Sequence, residues 1–428
     1  MRPQIRQEFL SVGAALLALL PGGCRLSETS TATVGGQALS VSNHLACIAA
    51  AGEPVTLDQL NRIYVEPPTG QNGARLYMRA FEIVDTHGTN STAHNQEVLD
   101  LLLEAAGHPS SRYPIDLRNG QRTLLRHLTR FRTCALLLGD EAVAQAERGR
   151  TEAATAALLA GLRLARSLDE EPVLISKQVE LSCLGITLDA LERSLGRGAF
   201  TEAELLRLQT ALQDAEQAVS LRRAFLGERA NLVALFQSSD GQLAEATAMN
   251  GSGVAPQLLE SYRSDGHLEQ DFAFTLDFMS KIVALASMSY PQALDAAARM
   301  KVPDAATALD KKLILSAILL PPPQATLGKG AETMARIRVA WTVLAVERSR
   351  LGREGRLSAS LAELPGGVAD GVPQDPFDGL PLRYRRLPAG GYSVWSVGPD
   401  RKDDGGYSRD VVMTLMEIPR VRGIAPSP

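Results

Sequence analysis

The chain has 428 residues, of which 45% are hydrophobic and 21% are charged, so it is long enough for two or three globular domains with a sizeable core. A formal net charge of −4 gives no case for a nucleic-acid-binding protein, which would need a basic face. Aromatic residues make up only 5% of the chain while alanine and leucine recur throughout, which favours packed helices over a β-sandwich.

Residues 1–24 are organised like an export signal. Arg2 and Arg6 precede an apolar run at 9–20, which is too short to span a bilayer. Cys24 follows two glycines and resembles the cleavage box of bacterial lipoproteins, although Pro21 stands where that motif normally has leucine. The resemblance implies that Cys24 carries lipid and anchors the protein to a membrane; a short buried helix is the alternative interpretation.

The polar residues 25–42 are predicted to form a flexible tether. Residues 43–325 then show helical periodicity and predict a mostly α-helical domain, either an irregular bundle or a short solenoid. The helices are expected at 95–106, 124–138, 141–148, 151–168, 179–195, 221–236, 271–286, 291–300 and 311–319.

Local signals refine this helical domain. The Thr201-x-x-Glu204 spacing predicts a capping box. Residues 238–268 are rich in serine and glycine and predict a flexible surface insertion. The acidic run Asp169–Glu171 is interpreted as a solvated helix end, and Cys134 and Cys183 as buried small apolar residues.

The last quarter of the chain carries the most distinctive pattern. Residues 331–351 predict an amphipathic helix, and the three prolines at 321–323 predict a stop before it. After the turn sequence Asp375-Pro-Phe-Asp-Gly379, alternating residues predict a hairpin with one strand beginning at Leu382 and a second from Tyr392 to Val397. A third strand is expected from Val411 to Met416.

This order resembles the C-terminal headpiece of major pseudopilins, the fibre subunits of type II secretion, over residues 330–410. The family has a long helix, an Asp-Pro-aromatic turn ending in glycine, two strands, and a Ser-x-Gly-x-Asp loop that closes near Gly-Gly. Here the loop is Ser396-Val-Gly-Pro-Asp400, followed by Gly405-Gly406. The resemblance implies a small α+β module at 327–417, with a flexible tail at 418–428.

The pseudopilin resemblance also implies a calcium ion in this loop. Asp400 would be a ligand and Val397 would offer its carbonyl, since calcium prefers hard oxygen donors. Asp403 and Asp404 are the nearest further carboxylates. Arg401 and Lys402 lie between them and disfavour a cation, so a solvated acidic turn stays open as the alternative.

The N-terminus departs from the pseudopilin pattern, because a pseudopilin begins with a prepilin cleavage site that leads directly into an apolar helix. We therefore expect that this chain does not polymerise as a pilin. As a whole it resembles large uncharacterised bacterial envelope proteins that place this unit behind a helical domain. That resemblance carries no activity with it.

Three functions are consistent with the sequence, which contains no zinc-binding His-Glu-x-x-His, no Gly-x-Ser-x-Gly elbow and no phosphate loop. The first is a non-enzymatic, exported, membrane-anchored scaffold of the cell envelope with protein partners, for which the pseudopilin resemblance implies calcium binding and association with a type II secretion or pilus-like assembly. The second is a hydrolase-type enzyme with a site between helices, for which His87, His94 and Asp116 are the candidates. The third is a helical peptide-binding scaffold.

Overall fold

The computed structural model describes residues 40–364 and 372–416, together with two short paired strands, β1 (Thr33–Val34) and β2 (Gln37–Ala38). The predicted export signal with Cys24, and the predicted tail at 418–428, lie outside the described residues. No helix in the described part of the chain is both long and apolar enough to cross a bilayer.

The described chain is mostly helical and ends in a small three-stranded antiparallel sheet, which confirms the predicted fold class at this level. Its first eight helices are α1 (Val41–Ala50), α2 (Leu57–Ile63), α3 (Ala74–His87), α4 (Thr92–Ala106), α5 (Leu128–Glu147), α6 (Thr151–Arg166), α7 (Leu174–Leu195) and α8 (Glu202–Ala218). The next eight are α9 (Arg222–Phe236), α10 (Asp240–Met249), α11 (Pro256–Ser264), α12 (His267–Leu285), α13 (Tyr290–Arg299), α14 (Ala305–Lys311), α15 (Ile314–Leu319) and α16 (Pro323–Gly352).

Two local signals define helix ends. The hydroxyl of Thr201 accepts a hydrogen bond from the Glu204 amide at 3.3 Å, and the Glu204 carboxylate accepts one from the Thr201 amide at 2.6 Å, so the capping box that opens α8 is confirmed. Gly149, with φ of 73°, makes the turn between α5 and α6. Helix α5 joins two stretches that the sequence predicted separately.

Residues 238–268 are helical, and the prediction of a flexible insertion is wrong. Helices α10 and α11 fill this stretch, and they bury Leu243, Leu259 and Tyr262. Ser239 opens α10 with a second capping box, and Pro256 occupies the first turn of α11. Serine before a helix and proline in its first turn are helix-start signals, and here they outweigh the loop-like composition.

Helix α16 is longer than predicted and lies at the centre of the molecule. The third of the three prolines, Pro323, is its first residue, while α15 ends before them at Leu319. The helix packs against α7, α8 and α13 on one side and against the sheet on the other. One buried cluster therefore runs from the helical body through α16 into the C-terminal module. The sequence predicted a domain boundary at 325–327. This boundary stays a prediction, and a single buried core crosses it.

The sheet has the strand order β3 (Arg383–Arg386), β4 (Tyr392–Ser396) and β5 (Val411–Leu415), and both pairs are antiparallel. The predicted hairpin and third strand are thus confirmed. Alternation along the strands turns one face towards α16, with Val394 and Met413 in the shared core. Arg385 and Trp395 belong to the opposite face.

Candidate functional site

Asp375, the first residue of the Asp-Pro turn, lies at the centre of a buried network in the C-terminal module. Its side chain is fully buried and its Oδ1 accepts hydrogen bonds from the Phe377 amide at 3.0 Å and the Ser396 hydroxyl at 2.8 Å. Its Oδ2 accepts from the Val397 amide and from Nη1 of Arg383, both at 2.8 Å. The carboxylate therefore joins the turn to the Ser396–Asp400 loop, two motifs that the sequence analysis treated separately.

Arg383 extends this Asp375 network to the surface. Its guanidinium also pairs with Asp378 of the same turn and lies 3.7 Å from Oδ2 of Asp403. Within the loop, Gly398 has φ of 68°, and a Cβ there would lie 2.2 Å from the Arg409 carbonyl oxygen. Only glycine fits this position, because both the backbone angle and the space exclude a side chain.

The residues proposed for calcium are held mainly by hydrogen bonds within their own loop. Oδ1 of Asp403 accepts from the Trp395 indole at 2.9 Å and from the Gly405 amide at 3.0 Å, and the indole hydrogen bond lowers the pKa of Asp403. Oδ1 of Asp400 accepts from the Lys402 amide at 3.1 Å, while Asp404 is exposed. The amide of Val397 donates to Asp375.

These oxygen donors suit calcium in type but do not converge on one point. Among the described residues, no group of three or more His, Cys, Asp or Glu side chains could hold a metal ion. A calcium ion at Asp403 would compete with the Trp395 and Gly405 hydrogen bonds for Oδ1 or would bind Oδ2 close to the Arg383 guanidinium. Calcium binding at Asp400, Asp403, Asp404 and Val397 stays a prediction.

The residues proposed for a hydrolase are brought together only in part. His87 at the end of α3 stacks on His94 at the start of α4, with ring centroids 4.0 Å apart. Asp116 instead caps a short 3-10 helix (Leu117–Arg122) and binds the Arg118 guanidinium through both oxygens at 2.8 Å. Hydrogen bonding to Arg118 lowers the pKa of Asp116. The structure thus pairs the histidines and engages the aspartate elsewhere.

The structure contains a buried Ser–Glu–His arrangement that no sequence pattern indicated. Glu171 accepts a hydrogen bond from the Ser176 hydroxyl and lies 3.0 Å from Nε2 of His127, whose ring stacks on Tyr113. In a hydrolytic triad the histidine lies between the other two groups, whereas here the carboxylate does. All four side chains are buried, so the arrangement braces the α6–α7 connection rather than facing a substrate.

The same connection holds a buried ionic cluster. Nζ of Lys177 lies 2.7 Å from Oε2 of Glu180 and 3.0 Å from Oδ1 of Asp169. Burial lowers the pKa of Lys177, but the two carboxylates outweigh it and raise that pKa overall. Burial raises the pKa of Glu180 to about 8 against the opposing charge of Lys177. The interpretation of Asp169–Glu171 as a solvated helix end holds for the exposed Glu170 but is wrong for Glu171, which is fully buried, and Asp169 is only partly exposed.

An open cleft of about 610 Å³ runs over the outer face of α6, between α4 and α8. We call it the α6 cleft. Its floor is a stripe at helical spacing, Ala156, Leu159, Arg163 and Arg166, because positions three and four apart share a face. Its walls include Leu103 of α4 and Leu206 of α8, which are 38% and 43% exposed.

The α6 cleft is basic. Arg163, Arg166 and Arg207 line it against a single acidic residue, Asp214. Arg207 pairs with Glu152 at 2.6 Å. In the described part of the chain, no hydrogen bond or ion pair engages the guanidinium of Arg163 or Arg166, and Nε of Arg166 is buried without a partner. Sequence reasoning missed this site because its three helices are far apart along the chain.

In comparisons with known proteins, no family model, no curated protein and no solved structure matches the chain. The pseudopilin resemblance consequently stays a prediction that rests on the motifs themselves.

Proposed function

We propose that this protein is a non-enzymatic scaffold of the cell envelope, anchored near its N-terminus, whose C-terminal module docks onto another envelope protein. A type II secretion or pilus-like assembly is the setting that the pseudopilin resemblance favours. A secondary part of this proposal is that the acidic loop of the module binds calcium.

The observation that carries the proposal is a cation–aromatic layer on the outer face of the sheet. The guanidinium of Arg385 lies 5.5 Å from the Trp395 ring centroid and 5.4 Å from that of Tyr407. Tyr407 is 65% exposed and Val412, the strand partner of Trp395, is also exposed, while Trp395 itself is buried beneath this layer. Arginine and aromatic residues are enriched at protein interfaces, where they supply most of the binding energy. The Asp375 network fixes the loop behind this layer, so the surface is preorganised.

Site-specific crosslinking in intact cells tests this docking surface. A photo-reactive amino acid at position 407 is expected to crosslink to a protein of the cell envelope. The same amino acid at position 124 is the matched control, because Leu124 is 68% exposed but lies in the helical body. Equal crosslinking from both positions, or crosslinks to cytoplasmic proteins alone, would contradict the proposal.

A separate experiment tests the proposed N-terminal lipid anchor. Mass spectrometry of the mature N-terminal peptide is expected to show that the chain begins at Cys24 with lipid attached. An intact Met1 on the mature protein would refute export by this signal.

A second candidate function, a helical peptide-binding scaffold, is favoured by the α6 cleft. Deleting residues 327–428 would be the simplest way to separate the two functions. The structure argues against that deletion, because it would remove most of α16 and open the core between α7 and α8. Substitutions on the two surfaces separate them without unfolding the protein.

A further inference from the structure

Most arginines in α6 and its neighbours form an ion pair with an acidic side chain, but in the described part of the chain Arg163 and Arg166 form none, although the charge of Arg166 acts at longer range on Glu180. Arg207 pairs with Glu152, Arg193 with Asp140 and Arg197 with Glu147. Arg163 is exposed and Arg166 half-buried, and both belong to the last turn of α6. The helix dipole makes the C-terminal end of α6 partly negative, so positive charges are stabilised there. This explains why two arginines lie in the last turn, but it does not explain the cleft around them.

The shape of the α6 cleft fits a peptide better than a small polar molecule. Few side chains project into the cleft, because small residues of the three helices line it: Ala106, Gly107, Ala156 and Ala211. Leu103, Leu159 and Leu206 give apolar contacts along it. An amphipathic segment can lay apolar side chains on such a surface while its polar groups reach the rim.

Charge complementarity determines which segment fits. Two unpaired guanidiniums at one end of an apolar groove match carboxylates, to which arginine binds with two parallel hydrogen bonds. The chain's own terminal segments are a poor match. Residues 1–39 contain three arginines against two glutamates, and residues 417–428 contain two arginines against one glutamate.

We propose that the α6 cleft binds a segment of another protein that carries apolar side chains next to one or more carboxylates. The carboxylates bind Arg163 and Arg166, and the apolar side chains lie on Leu103, Leu159 and Leu206. The inference builds on the proposed scaffold function but uses a different surface from the sheet layer around Tyr407.

Fluorescence anisotropy with the full-length protein tests this inference. The probe is a short labelled peptide with leucines three and four residues apart and glutamates between them. A twin peptide has every glutamate replaced by lysine. We expect the acidic peptide to bind at least about tenfold more tightly than its twin, and its affinity to fall with added salt.

The decisive variant is Arg163→Gln with Arg166→Gln. It is expected to weaken binding of the acidic peptide about tenfold or more, because each lost charge-assisted bond has roughly that effect. The matched control is Arg148→Gln with Arg299→Gln. These two arginines also lie at the C-terminal ends of helices and are exposed, but they are outside the cleft. Leu206→Ser is expected to weaken the binding of both peptides.

The outcomes separate this inference from the scaffold proposal. Equal binding of the two peptides, or an unchanged affinity in the Arg163/Arg166 double variant with an unchanged melting temperature, overturns the cleft assignment and leaves crosslinking at position 407 unaffected. If the acidic peptide binds only after residues 417–428 are removed, the chain's own tail is the occupant and the inference is wrong. Loss of crosslinking at position 407 with intact peptide binding would refute only the docking of the module.

Discussion

The C-terminal module and the helical body both bury carboxylates, but they do so in different ways. In the module, Asp375 receives four hydrogen bonds, three from its own turn and the following loop and one from Arg383. In the body, Glu180 faces Lys177, which it shares with Asp169. The first carboxyl group fixes the path of the backbone, whereas the second contacts a buried lysine that Asp169 also contacts.

The difference explains why the sequence contains a recognisable motif for the buried carboxylate of the module but none for that of the helical body. A carboxylate that binds backbone amides needs a defined turn, so it leaves a motif with proline and glycine around it. A carboxylate that binds a buried lysine needs only a helix and a neighbour, so it leaves no motif. The two also differ in how they respond to substitution and to pH.

The largest effect is expected for Asp375→Ala. The substitution leaves Arg383 and three buried donors without their acceptor and should lower the free energy of unfolding by about 3–5 kcal/mol. Chemical denaturation of the purified protein measures this. Asp400→Asn is the control and should change stability by less than about 1 kcal/mol, since the Lys402 amide is the one hydrogen-bond donor that Asp400 has among the described residues. A similar small effect for both variants would show that the Asp375 network does not stabilise the module.

A smaller loss, on the order of 2–3 kcal/mol, is expected for Lys177→Ala. Burial raises the pKa of Glu180 to about 8, so this group already holds a proton at neutral pH, and Asp169 is partly exposed; the substitution therefore leaves neither as a fully buried charge. The double variant with Glu180→Leu should recover part of the loss. If the double variant is as unstable as the sum of the two single ones, Lys177 and Glu180 are not coupled.

The body should also show a pH dependence that Glu180 dominates above pH 7. Its folded pKa of about 8 lies well above the ordinary value for a glutamate, so the folded state keeps a proton that the unfolded state has lost. Stability should therefore fall as pH rises towards 8, by on the order of 1 kcal/mol per pH unit. Glu228 and Asp271, with pKa values raised by burial to about 7 and about 6, add to the slope at lower pH.

Denaturation at pH 7 and pH 8 measures the contribution of Glu180 together with a smaller one from Glu228. Glu180→Gln should flatten the slope in that interval, while Asp271→Asn should leave it unchanged. An equally steep slope in the Glu180→Gln variant would assign the proton to another group.

The smallest effect is expected from calcium. Because hydrogen bonds already hold the acidic loop, millimolar calcium should change stability by less than about 1 kcal/mol. Trp395 reports directly on the loop through its bond to Asp403, and Trp341→Phe removes the other tryptophan. A large stabilisation that shifts Trp395 fluorescence and disappears in Asp400→Asn would show that the loop rearranges around the ion.

The sequence predicted the elements of the module well because each has a local cause. The apolar stripe of α16, the glycine-terminated turn and the alternating strands are all properties of neighbouring residues. Residues 238–268 were mispredicted because serine and glycine indicated a loop, although Ser239 and Pro256 were available as helix-start signals.

The candidate sites depend on contacts that local pattern does not encode. The bond between Asp375 and Val397 spans 22 positions, and the Arg336–Asp189 ion pair that joins α16 to α7 spans 147. The α6 cleft is a space between three helices, so no single stretch of sequence describes it. Its floor does leave a weak trace, since Leu159, Arg163 and Arg166 share one helical face.

The central position of α16 has a consequence for how the protein is made. A chain emerging from the ribosome completes α7 and α8 more than a hundred residues before α16 is available to cover them. The apolar surfaces of α7 and α8 therefore stay uncovered until a helix near the end of the chain is present, and these helices cannot complete their core before it. The core closes late and as one unit, so a nascent chain truncated before residue 323 should be prone to aggregation.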